Sequence, residues 1–135
     1  MREGKPMARR WTMLGALSAA LAVALGAFGA HVLRTVLPAA RLATFETGVR
    51  YEMFHALGLL AVAWAAVHWP RAAAVEVAGW LFVVGTALFS GSLYLLALTG
   101  AGWLGAIAPL GGAAFIAGWL ALAWAAWRGG DEPWR

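Results

Sequence analysis

Three histidines, six carboxylates, two tyrosines and a few hydroxyls are the groups in this 135-residue chain with the chemistry to act on a ligand. Cysteine is absent, which removes thiol nucleophiles, disulfides, Cys-ligated zinc and iron–sulfur clusters together. His31 and His55 would make a two-histidine haem site if neighbouring antiparallel helices held them at one depth, with Tyr51, Ser90 and Tyr94 around them. The plainer expectation is that each histidine hydrogen-bonds a neighbouring carbonyl or hydroxyl and orders the protein, so no cofactor is predicted. Glu52-Met53-Phe54-His55 is a Glu-x-x-His, half of a pattern that carboxylate-bridged di-metal bundles use twice. It occurs once, and no carboxylate in the other apolar segments completes it, so no metal is predicted. Ser90 or Ser92 could be paired with a histidine, but only Glu46 or Glu52 is at hand to orient it, and no oxyanion-hole motif is present. The chain is therefore not expected to be an enzyme. Glu46 and Arg50, four apart, predict a helix-surface ion pair.

These groups sit in an unusual background. The chain is 63% hydrophobic and 12% charged, with a mean hydropathy of +0.75, against about 25% charge in an ordinary soluble domain. Too little polar surface exists to coat an apolar core in water, so a bilayer is the solvent. The net charge of +4 comes from basic residues scattered at segment ends, which argues against a nucleic-acid partner.

Four apolar segments, about 12–33, 51–69, 77–99 and 104–127, each approach the length a helix needs to cross about 30 Å of hydrocarbon. Only helices satisfy their own backbone there, and none of the segments alternates as a barrel strand would. The fold class is thus all-α: one polytopic membrane domain over residues 1–135, with four transmembrane helices in an antiparallel bundle. Met7 to Ala30 has the outline of a secretory signal, but its apolar run exceeds the roughly 7 to 15 residues of a signal core, favouring an uncleaved span. Whether Met1 or Met7 starts the chain is open.

Arg2, Lys5, Arg9 and Arg10, then Arg71, then Arg128 and Arg135 share one side of such a bundle, against Arg34, Arg41 and Arg50 on the other. That bias puts both termini in the cytoplasm. Trp11, Trp69, Trp80 and Trp127 fall at the cytoplasmic ends of four different helices, as an interfacial aromatic belt does. Between the first two spans, Pro38 followed by Leu42, Phe45 and Val49 reads as a short interfacial helix, with Gly48 as the bend into the next span. The tetrapeptide Gly100-Ala101-Gly102-Trp103 forces the last two helices into a hairpin.

In lipid, helices associate through small residues that let backbones approach. Ala22, Gly26 and Ala30, Ala87 and Gly91, and Ala113, Ala117, Ala121 and Ala125 are the seams expected to pack, internally or in a homo-oligomer. At membrane depth the polar candidates His31, Arg50, Tyr51, Glu52, His55, Ser90, Ser92 and Tyr94, with Pro109, all fall in the outer half. Glu52, one turn from the membrane edge, is poorly placed for proton-coupled transport.

Four blocks taken together resemble a known family: Gly26-Ala27-Phe28-Gly29-Ala30-His31, Thr47-Gly48-Val49-Arg50-Tyr51-Glu52-Met53-Phe54-His55, Leu88-Phe89-Ser90-Gly91-Ser92-Leu93-Tyr94, and Pro109-Leu110-Gly111-Gly112 with Ala117-Gly118-Trp119. The resemblance is to the domain-of-unknown-function 423 family, which takes in YgdD-like bacterial inner-membrane proteins and the mitochondrial transmembrane protein 256. It implies a small multi-pass inner-membrane protein with an uncleaved first helix, and implies no activity. His31, Tyr51, His55, Ser90, Ser92, Tyr94 and Pro109 match the family pattern, whereas Glu52 stands where the family more often resembles Gln. A role as a metal ligand or proton carrier is weakened at such a position, because an amide does not titrate. The function expected is non-enzymatic binding of lipid or a membrane-protein partner, or support of its assembly. The alternatives are a haem-like or small-molecule site at His31 and His55, and a small transporter or channel subunit.

Overall fold

A computed structural model describes residues 4–129; Met1, Arg2 and Arg135 lie outside the described residues. It consists of four helical rods, with no strand among the described residues. Helix α1 (Gly4–Phe28) runs on through a π-helical stretch (Gly29–Leu33) and a further turn, α2 (Arg34–Val36). Helices α3 (Ala39–His68) and α4 (Ala73–Thr99) follow, then a 3-10 stretch (Gly102–Ala106) leading into α5 (Ala108–Gly129). The rods overrun the expected apolar segments because charged and polar turns continue each helix past its apolar run.

Local chemistry sets the breaks. Pro38 restricts the residue before it to extended backbone, and Leu37 has φ −99° and ψ 144°, so the first rod stops there. Pro38 itself then caps α3, where its missing N–H costs nothing. Gly100 ends α4 in the left-handed region at φ 73°, its N–H reaching the Leu96 carbonyl at 2.8 Å. Arg41 of α3 adds a second closure, its Nε donating to the Ala97 carbonyl at 2.7 Å at the negative end of the α4 dipole.

Three of the rods, Gly4–Val36, Ala73–Thr99 and Gly102–Gly129, are long and apolar enough to cross a membrane. The expected interfacial helix is not a separate element. Gly48 does not break the helix: α3 continues through it as one element of 30 residues, about 45 Å of helix. Gly48 serves a close approach between helices instead.

The rods pack in chain order, α1 on α3, α3 on α4 and α4 on α5, while α3 and α5 touch only lightly. Neighbours are antiparallel: Gly15 of α1 faces Ala56 and Leu59 of α3, and Gly26 faces Val49. Aromatic rings fill the spaces that glycines leave open. Phe115 of α5 packs over Gly85, where a Cβ would lie 2.5 Å from its ring, and Trp11 of α1 covers Gly79. The expected alanine seams are therefore only partly used. Ala22 and Ala125 are buried, but Ala30, Ala87, Ala113 and Ala117 are not, and Gly91 faces open space.

Trp11 departs from the expected belt. It is 0% exposed, edge-on to Trp80 at 5.4 Å, within a core that also holds Val62, Val75 and Phe82. Arg10 beside it pairs with Glu76 and lies over the Trp11 ring. Trp127, 70% exposed, and Trp80, which donates to Glu76 at 3.0 Å, keep positions suited to a belt. A second, smaller core of Leu33, Phe45 and Ala97 closes the other end.

Candidate functional site

Helix α3 carries polar groups on two faces, and each face meets a different neighbour. On the side toward α4, Gly48 lets the helices come together: a Cβ there would lie 2.7 Å from the Tyr94 ring and 3.4 Å from the Ser90 carbonyl oxygen. Ser90 donates to the Gly48 carbonyl at 2.7 Å across this contact. One turn along, buried Glu52 accepts from the Tyr94 hydroxyl, and Ser18 of α1 is also within reach of that carboxylate. Glu52, Ser90 and Tyr94 thus form an interhelical polar lock, in which each polar group is answered inside the protein, as burial in an apolar medium demands. Ser92, also buried, is turned back on its own helix, donating to the Phe89 carbonyl at 2.9 Å.

The other face of α3 opens into a furrow between α3 and α5, floored by α4. It has a volume of about 640 Å³ and is lined chiefly by Tyr51, His55, Phe89, Gly112, Phe115 and Trp119. His55 stacks on Phe115 with ring centres 3.4 Å apart and planes 7° from parallel. Its Nε2 lies 3.1 Å from the indole N–H of Trp119, which can only donate. Nε2 is therefore the acceptor, and the proton sits on Nδ1, which donates to the Tyr51 carbonyl at 2.7 Å. Both nitrogens of the neutral imidazole are thereby engaged. A metal or haem iron would take Nε2 only by displacing Trp119. Tyr51, 38% exposed, packs against Phe89 with ring centres 4.6 Å apart and completes the wall. A second hollow of about 330 Å³, lined by Trp64, Trp69 and Leu122 among others, continues the furrow, with Trp119 common to both.

The remaining candidates lie apart. His31 is exposed in the π-helical stretch, at the level where Gly29 and Leu33 meet Phe45. His55 is ten residues beyond Phe45 on α3, about 15 Å, so the two histidines do not share a depth. The register of α1 against α3 is the reason: Ser18, not His31, is the α1 residue alongside this part of α3. Pro109 is exposed at the second position of α5, where a proline starts a helix readily. Arg50 is exposed and, among the described residues, pairs with no acid; the ion pair present is Arg10–Glu76, not Glu46–Arg50. No cluster of three or more His, Cys, Asp or Glu occurs among the described residues.

Phe89, Gly112, Phe115 and Trp119 are furrow residues that side-chain chemistry did not single out. A signal for Trp119 existed: an indole N–H in mid-helix, far from either end, needs an acceptor at membrane depth, and His55 is one.

Long apolar helices, an interior closed by glycine contacts and a polar lock answered between helices define a small helical membrane protein. The chain belongs to the family described as "Protein of unknown function (DUF423)", which it matches over residues 25–112. The matched region holds every polar candidate from His31 to Pro109, while Trp119 lies beyond it. The chain is 52% identical over 87 residues to the UPF0382 membrane protein YwdK of Bacillus subtilis, covering 64% of this chain and 71% of that protein. A UPF0382 membrane protein of Haemophilus influenzae is 45% identical over 91 residues, covering 67% and 72%. The UPF0382 inner membrane protein YgdD of Escherichia coli is 39% identical over 93 residues, covering 64% and 66%. No solved structure matches.

Proposed function

We propose that this is a four-span protein of the bacterial inner membrane, with both termini in the cytoplasm, that acts without catalysis by holding a lipid. The observation that carries this reading is the furrow between α3 and α5. Its size, about 640 Å³, falls in the range of small-molecule sites, and its walls are almost wholly apolar. It opens sideways, toward the phase from which an acyl chain would enter. In the same reading α3 is the fourth span: its polar residues Glu52 and His55 are both satisfied internally, which removes most of the cost of placing them in hydrocarbon. The topology follows from Lys5, Arg9, Arg10, Arg71 and Arg128, which lie at the ends carrying the chain termini and the α3–α4 turn.

Two measurements test this. The protein extracted from its own membrane in mild detergent is taken to native mass spectrometry and absorption spectroscopy together. Co-purifying lipid on a colourless protein supports the reading, and a Soret band or a retained non-lipid mass would replace it with a cofactor site. For topology, the cysteine-free chain allows single-cysteine labelling with an impermeant maleimide in whole cells. Gly102→Cys, at a position with open space around it, is expected to label, and Arg9→Cys is not.

A further inference from the structure

The furrow has a polar end that the lipid-holding role leaves unassigned. Arg50 is four residues before Phe54, seven before Leu57 and fourteen before Trp64, spacings that put it on the stripe of α3 that lines the two hollows. It stands next to Tyr51 and one turn beyond Phe54 at the end of the furrow, exposed, and without an ion-pair partner among the described residues. The nearest acids on its helix do not neutralise it. Glu46 forms no pair with it, and Glu52 is buried on the other face, engaged by Tyr94. Opposite, α5 begins at Ala108, one turn before Gly112 of the furrow wall, so the positive end of its dipole lies at the same end as Arg50. The hydroxyl-bearing ring of Tyr51 lies between this end and His55. An apolar slot with a cation and a positive helix end at one rim is complementary to a molecule with a long chain and an anionic head. A transmembrane helix of a partner, about 10–12 Å across with its side chains, is a poorer match to a slot of this size.

We propose that the furrow is a binding site for an anionic glycerophospholipid, with the phosphate at Arg50 and one acyl chain lying along His55 and Phe115 toward Trp119. The assignment rests on the lipid-holding role and adds the headgroup class and the end at which it is bound. Arg rather than Lys suits the task, because its planar fork makes two parallel hydrogen bonds to a phosphate. Gly112 has a part of its own: a Cβ there would come no closer than 3.9 Å to Phe89, so its missing side chain leaves volume in the furrow rather than relieving a clash.

The test uses the full chain in nanodiscs made from equal parts of phosphatidylglycerol and phosphatidylcholine with matched chains. The protein is released into mild detergent and the lipid it retains is counted by native mass spectrometry. Wild type is expected to retain phosphatidylglycerol over phosphatidylcholine by about fivefold, the scale of one arginine facing an anionic headgroup. Arg50→Gln is expected to bring that ratio close to one while leaving total retention largely intact, and Arg50→Lys to restore part of it. Gly112→Leu is expected to cut retention of both lipids, and Ile116→Trp, on the same wall at an exposed position, to do the same. An unchanged ratio in Arg50→Gln overturns the headgroup assignment and leaves the lipid-holding role standing. Undiminished retention in both furrow-filling variants overturns the site itself and the lipid-holding role with it.

Discussion

The two faces of α3 solve the same problem in different ways. Toward α4, Gly48 removes a side chain so that backbones meet, and Ser90, Glu52 and Tyr94 answer one another across the contact. Toward α5, Tyr51 and His55 hold the helices apart with ring stacking and one Trp119 hydrogen bond, and a furrow is left. Both faces carry polar groups, and Glu52, Ser90 and His55 are satisfied there. What separates them is volume: small residues close the first face, and large aromatic residues prop the second open. A polar residue within a membrane protein is thus a strut on one face and part of a wall on the other, and residue type alone does not say which.

The contrast is sharpest in glycine substitutions. Gly48→Leu should destabilise the protein most, by about 3 kcal/mol, the upper end for overpacking, because the new side chain must displace Tyr94 and separate α3 from α4. Thermal unfolding in detergent reads this directly, and a variant that melts with wild type would show the closed face to be looser than its geometry. Glu52→Ala comes next, at about 1–3 kcal/mol, since it strands the buried Tyr94 hydroxyl. Glu52→Gln keeps an acceptor for that hydroxyl and should recover most of the loss; equal losses in the two variants would mean that the carboxylate's charge matters more than its hydrogen bond.

Smaller effects belong to the open face. Trp119→Phe keeps an aromatic ring and deletes the donor to His55, and should cost about 0.6 kcal/mol, the average of interhelical hydrogen bonds measured in a membrane protein. A loss several times larger would make the His55–Trp119 bond a principal tie between α3 and α5. Gly112→Leu should leave stability within about 0.5 kcal/mol, as at positions free of packing constraints, although it fills the furrow. The two glycine variants, one on each face, therefore differ most where their chemistry differs least.

Much of the lock is legible in the residues themselves. Ser90 beside a glycine predicts a hydrogen bond between helices around a close contact, and that bond forms, but the glycine is Gly48 on the partner helix rather than Gly91 beside it. Spacing marks Gly48 only as a break in an overlong helix; its use as a contact depends on what lies opposite, which one helix does not encode. The histidine pair comes apart for a related reason. His31 and His55 sit on neighbouring antiparallel helices, but the axial register of α1 on α3 is set by Gly15 against Ala56 and by Gly26 against Val49. That register carries His31 to the level of Phe45. Position near a helix end assigns Trp11 to the interface, and Gly79 makes room for it in the core instead.

Composition determines the solvent, and the solvent determines the secondary structure, since a chain this apolar and this poor in charge must satisfy its backbone within helices. Pro38 and Gly100 mark where rods end, because their backbone restrictions act locally. Which face of each rod turns inward is decided only in the tertiary structure. In water, the polar face of a helix declares itself; here core-facing and lipid-facing sides are both apolar, and periodicity has little to distinguish. The pairing of Gly48, Gly79 and Gly85 each with an aromatic ring of a neighbouring helix, the bond from Trp119 to His55 Nε2 and the furrow left between α3 and α5 all follow from axial register and rotation, which are properties of helix pairs rather than of any one segment.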